Sequence, residues 1–245
     1  MKGVRELTKW MSRLVRAFDD ASDYNGEMQM FSIRSLVVLA SSGCVALVTF
    51  QLLDYAVAAA AAKLIASTAF VAVAIQAGAF HSRYGQLILL GLVFSWFGDM
   101  FLVGQARSFF LLGLGSFLFA HVVYIAAFIV KGINVRCIAV ATLPVAAVGI
   151  AVSIWLTPYI PPELVIPVRT YTCVISLMLI AAIGTRGRGA TMLILAGALM
   201  FFLSDLSVAA LRLVQTALPT YVLGLPLYYA GQLCLAVSVS QSRSD

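Results

Sequence analysis

GLVFSWFGDMFLV, residues 91–103, is an apolar stretch that carries one carboxylate, Asp99. An ionised group in hydrocarbon is costly and is kept when it is paired, wetted or used. Whether this stretch crosses a membrane therefore decides both the fold and where to look for chemistry. The composition of the chain answers the first question. Its 245 residues are 62% hydrophobic and 11% charged, with a mean hydropathy of +1.01. Soluble domains have about 45–50% apolar and about 25% charged residues. The sequence predicts an all-α polytopic membrane protein and excludes a soluble globule.

Working outward from Asp99, eight apolar runs cover 34–53, 56–77, 84–104, 108–130, 136–156, 163–184, 190–211 and 220–240. Each is long enough for a span of about 20 residues. Pro161 and Pro162 mark a connection, as do Gly187 and Gly189, and Pro144, Pro167 and Pro226 are candidate kinks. Two segments follow: an N-terminal one, 1–30, and an eight-helix transmembrane domain, 31–245. In VRELTKWMSRLVRAF, residues 4–18, Leu7, Trp10, Met11, Leu14 and Phe18 recur at helical spacing beside Lys9, Arg13 and Arg16. That pattern predicts an amphipathic helix lying on an anionic membrane surface.

The net charge of +6 does not indicate nucleic acid, because no basic stripe with interleaved aromatics exists. Most basic residues fall in connections on one side, among them Arg34, Arg83, Lys131, Arg136 and Arg186; the other side holds Arg107 and Arg212. By the positive-inside rule both termini are cytoplasmic, in what we expect to be a bacterial inner membrane. The four cysteines, Cys44, Cys137, Cys173 and Cys234, are scattered through apolar runs and read as small buried hydrophobes. No metal-ligand spacing is present, and no metal or organic cofactor is expected.

Two basic residues, Lys63 and Arg169, fall inside spans. Lys63 precedes Asp99 by 36 positions and Arg169 precedes Asp205 by 36. A shift of 106 also carries Gly91 onto Gly197, so GLVFSWFGD and GALMFFLSD take equivalent places. The eight helices thus read as two parallel four-helix repeats. At ~1.5 Å per residue the four charges share one layer, about 10 Å from the outer helix ends. Helices 2, 3, 6 and 7 are expected to meet around it. Two ion pairs locking helices is the plain structural reading, and a functional polar centre is the other.

GLVFSWFGDMFLV, FLLGLGSFLFAHVVY (110–124), PVRTYTCVISLM (167–178), GALMFFLSDLSVAALRL (197–213) and YYAGQ (228–232) together resemble the YhhN family of lysoplasmalogenases. The resemblance runs from Lys63 to Gln232 and leaves out the first 30 residues. It implies an eight-helix membrane hydrolase that cleaves the vinyl ether of a lysoplasmalogen, a lysophospholipid held among membrane lipids. The products would be a fatty aldehyde and glycerophospho-ethanolamine or -choline, with Asp99 and Asp205 as the catalytic pair.

The residues permit this chemistry. Vinyl ether hydrolysis begins with proton transfer to the β-carbon, which needs a positioned acid; a carboxyl in a low-dielectric site can hold a proton near neutrality. A second, ionised carboxylate can stabilise the oxocarbenium ion and activate water. Which Asp is the acid stays open at this stage; Asp205 is preferred, because Arg169 could grip a substrate phosphate instead of pairing with it. His121 and Tyr124 share a helical face and could position water or a headgroup, or else form buried contacts with another helix. Their estimated depth, a turn or two inward of the carboxylates, argues against direct catalysis. Tyr228, Tyr229 and Gln232 take the place in the second half that His121 and Tyr124 hold in the first, with Gln232 expected to face the interior. Tyr171 could reach the site or anchor at the interface, and Ser95 and Ser204 are expected to support the adjacent carboxylates. The rival function is a lipid or small-molecule transporter with a midplane charged site; a non-enzymatic scaffold has no specific feature behind it.

Overall fold

A computed structural model describes residues 32–104, 106–186, 192–214, 219 and 221–242. The expected amphipathic helix and the Gly187–Gly189 connection lie outside these. Eight long helices follow one another: α1 Ile33–Leu52, α2 Ala56–Gln76, α3 Arg83–Phe101, α4 Arg107–Lys131, α5 Val135–Leu156, α6 Val165–Gly184, α7 Met192–Ala209 and α8 Tyr221–Ser238. All eight are long and apolar enough to cross a membrane, and no strand occurs among the described residues. Helices satisfy their backbone groups internally, which hydrocarbon demands.

Polar caps begin α1, α3 and α5 at one end of the bundle. The Ser32 side chain accepts from Arg34 N at 3.1 Å, Ser82 from Gly85 N at 3.0 Å, and Asn134 from Arg136 N at 3.0 Å. Each ties up one of the donors that a helix start leaves unpaired. Pro144 and Pro226 lie inside α5 and α8. Pro167 sits in the first turn of α6, where its missing N–H costs no helical bond. At the end of α7 the chain adopts a π-helical turn, Ala210–Val214.

Successive helices pair as hairpins: α1 with α2, α3 with α4, α5 with α6, and α7 with α8. Helix α8 also packs on α1, α2 and α3, while α6 packs on both α4 and α7. Helix α8 is the most enclosed of the eight and α5 the least. Val57, Val140, Leu143 and Ile166 lie more than three-quarters exposed, as side chains that face lipid do. Cys44 and Cys234 are buried, Cys137 is half-buried and Cys173 is exposed, so the small-hydrophobe reading puts only two of the four in the core.

Small residues set the closest approaches. At the α7–α8 crossing, a Cβ on Gly231 would stand 2.9 Å from the Gly197 carbonyl oxygen. A Cβ on Gly91 would run into the Tyr124 ring, which is fully buried and donates to Gln232 Oε1 at 2.8 Å. Gly91→Ala is therefore expected to destabilise the protein by about 1–3 kcal/mol, the usual cost of overpacking. A thermal melt in detergent measures this, and an unshifted melting temperature would mean that Tyr124 moves aside freely.

Candidate active site

Asp99 lies near the end of α3 and is only 2% exposed. Lys63 Nζ, on α2, approaches Oδ1 at 3.3 Å. Ser67, one turn beyond Lys63 on the same face of α2, donates to Oδ2 at 2.6 Å. Tyr228 of α8 donates to the same oxygen at 2.8 Å. The Ser67 hydroxyl has one hydrogen, given to Asp99, so Tyr229 donates to Ser67 Oγ at 3.1 Å. Two helices, α2 and α8, thus deliver one cation and a set of hydroxyls to a single carboxylate on α3.

Asp205, on α7, has different company. Tyr171 of α6 donates to its Oδ2 at 2.6 Å. His121 Nε2, on α4, stands 3.2 Å from the same oxygen and 2.9 Å from the Tyr171 hydroxyl. His121 Nδ1 meets Met178 Sδ at 3.3 Å. A thioether is a weak acceptor, so the tautomer with the proton on Nε2 fits best and directs that N–H at Asp205. The Asp205 side chain is 16% exposed against 3% for Asp99.

The two centres meet at aromatic rings. Phe201, one turn before Asp205, is fully buried. Its ring lies 4.7 Å from that of His121 and 5.3 Å from that of Tyr228, both edge-on. Phe117 stacks edge-on to both Phe201 and Tyr228.

Asp99 and Asp205 both line one cavity of about 530 Å³, within the range of small-molecule sites. Lys63, Tyr171, Ser204 and Tyr228 line it with them. The walls come from the C-terminal ends of α1, α3, α5 and α7 and the N-terminal ends of α2, α4, α6 and α8. The cavity therefore occupies the end of the bundle remote from Ser32 and Ser238. Most of the remaining wall is hydrocarbon, including Leu47, Phe50, Leu114 and Ile175.

Several sequence expectations need correction. Arg169 is exposed and forms no wall of the cavity; Asp205 meets Tyr171 and His121 instead. Tyr171 faces inward, and two residues along a helix turn the chain by about 200°, so Arg169 points away. The charge layer thus contains one ion pair, Lys63–Asp99, and the repeat does not extend to a second. His121 touches Asp205 despite its greater estimated depth. Side chains lean toward the N-terminus of their own helix, and α4 and α7 run in opposite directions, so the two side chains lean toward each other. Tyr124, Gln232 and Ser95 are buried but do not line the cavity. Tyr124 and Gln232 bond each other, and the Ser95 carbonyl accepts a long 3.5 Å bond from Tyr228. Ser67 and Phe201 escaped the sequence reading, although each lies four residues from a charged residue of the site. Among the described residues no cluster of His, Cys, Asp and Glu could hold a metal ion.

The description "YhhN family" belongs to the family model that matches residues 58–239. Lysoplasmalogenase TMEM86A of Bos taurus is 30% identical over 162 residues, covering 64% of this chain and 66% of that protein. The Homo sapiens TMEM86A matches to the same extent. Human lysoplasmalogenase TMEM86B is 30% identical over 159 residues, 65% of this chain and 66% of its own. The match thus spans just under two thirds of the relatives' length. No solved structure matches the chain.

Proposed function

The chain belongs to the YhhN family, and from that premise we propose that it is a lysoplasmalogenase. It would hydrolyse the vinyl ether of a lysoplasmalogen to a fatty aldehyde and a glycerophospho-ethanolamine or -choline. One observation carries the reading: two carboxylates in unlike surroundings line a single, mostly apolar cavity.

Their surroundings divide the labour. Asp99 is held by an ammonium and two hydroxyls, which suits the anion. Asp205 is held on Oδ2 by the Tyr171 hydroxyl and the His121 ring nitrogen, which leaves Oδ1 for the substrate. Asp205 gives its proton to the β-carbon, and the α-carbon becomes an oxocarbenium ion facing the Asp99 carboxylate. Water adds to that carbon and yields a proton to Asp99. The hemiacetal then collapses: its glycerol oxygen takes the proton from Asp99, and its hydroxyl proton returns to Asp205. Aldehyde and alcohol leave with both groups restored. The scheme parallels an inverting glycosidase, with one acid and one base about an oxocarbenium-like transition state.

The protein would sit in a bacterial inner membrane with both termini cytoplasmic, as the basic residues at the Ser32 end support. The cavity mouth would then face the other compartment. Purified protein in detergent is expected to release aldehyde from lysoplasmalogen with no gradient. A transporter would release none and would instead move lipid or solute across sealed vesicles, an outcome that would replace the hydrolase reading.

A further inference from the structure

At its outer end the cavity wall carries two charges that the chemistry above does not use, Arg212 and Asp54. Arg212 sits in the π-helical turn that prolongs α7, a distortion that frequently marks functional sites. Asp54 joins α1 to α2 with φ at 57°, a left-handed conformation that Asp tolerates better than most residues. Both side chains are exposed at the mouth, and neither forms an ion pair among the described residues. Arg107, at the same end of the bundle, is engaged by Glu163 at 2.6 Å.

We propose that Arg212 and Asp54 form a clamp for a zwitterionic headgroup, Arg212 taking the phosphate and Asp54 the ammonium of an ethanolamine lysolipid. The inference rests on the hydrolase reading and adds what holds the substrate in register. Arg212 lies seven residues beyond Asp205, about 10 Å along the helix. Seven bonds separate phosphorus from the vinyl β-carbon, roughly 8 Å when extended at ~1.2 Å per bond. A phosphate at Arg212 therefore sets the β-carbon within reach of Asp205. Guanidinium suits phosphate because its fork of donors matches two oxygens. A primary ammonium donates hydrogen bonds to a carboxylate, whereas a quaternary one has none to give and is better served by an aromatic cage. Phe50, Phe110 and Tyr221 also line this end of the wall, but Phe110 is packed into an apolar cluster with Leu213 and Val214, and Asp54 offers the acceptor that a primary ammonium uses.

The test uses the full chain in detergent and two lipids. Binding is measured with 1-acyl lysophosphatidylethanolamine, which carries the headgroup but no vinyl ether. Turnover is measured with the ethanolamine and choline lysoplasmalogens. Arg212→Gln is expected to raise Kd and KM roughly 10-fold, as loss of a charge-assisted bond does, with kcat nearly unchanged. Asp54→Asn should weaken the ethanolamine lipid and narrow its advantage over the choline lipid. Arg107→Gln should match the wild type, and elution as a single folded species checks each variant. An unchanged Kd in Arg212→Gln overturns the clamp, as does a loss confined to kcat. A wild type that binds lysolipid through Arg212 yet releases no aldehyde would keep the clamp and remove the hydrolase reading.

Discussion

Asp205→Asn is expected to cut aldehyde release by roughly 10²–10⁴-fold, the usual contribution of a positioned acid or base, in a protein that still folds. Asparagine keeps the shape of the side chain and an oxygen for Tyr171 to bond, but it has no proton to deliver to carbon. The loss should therefore fall on kcat, with lysolipid binding preserved, because the headgroup lies some way from the change. Single-turnover aldehyde assays and a thermal melt separate the two effects. Wild-type turnover in Asp205→Asn would place the acid elsewhere and remove the two-carboxylate scheme. A protein that cannot fold without Asp205 would show a collapsed melt instead, and then the His121–Asp205–Tyr171 contact is mainly structural.

Lys63 and Asp99 form a buried pair, so removing either alone is expected to be more damaging to stability than removing both. Lys63→Met leaves an anion enclosed without its cation, and Asp99→Leu strands the ammonium; each is expected to cost about 3–5 kcal/mol. The double variant Lys63→Met/Asp99→Leu should recover most of that. A residual deficit of about 1–3 kcal/mol follows from the Ser67 and Tyr228 hydroxyls, which lose their acceptor. Chemical denaturation in mixed micelles gives the stability cycle, and an aldehyde assay on the same samples gives function. The double variant should be folded and inactive. If it is folded and active, Asp99 is a helix lock and the anion of the reaction must be sought among other groups.

Much of the bundle was legible because hydrocarbon imposes a length. Each of the eight helices begins and ends close to the limits read from hydropathy, with α2 differing by a single residue at its end (Gln76 against 77). Charges were legible for the related reason that an apolar setting makes them conspicuous, and Lys63 with Asp99 follows directly. Arg169 is the exception, because equal spacing does not imply equal facing. Spacing fixes depth along a helix, but neighbours decide which side turns inward, and Tyr171 claimed that side of α6. Ser67 and Phe201 were obscured by their ordinariness: a serine in an alanine-rich run and a phenylalanine among many carry no signal until a partner is in place. The reach of His121 depended on side-chain tilt, which a count of residues along parallel axes omits.

Tyr229, Ser67 and Asp99 form a string of hydroxyls ending on a carboxylate, and each link has a single hydrogen to spend. That gives the string a polarity. Every O–H vector aims at Asp99, and reversing one obliges the next to turn as well. The end of the string at Tyr229 is shut away from bulk solvent. Negative charge on Asp99 is thus favoured by dipoles oriented in advance, so little rearrangement would be needed for the oxocarbenium ion of the proposed reaction to form opposite it.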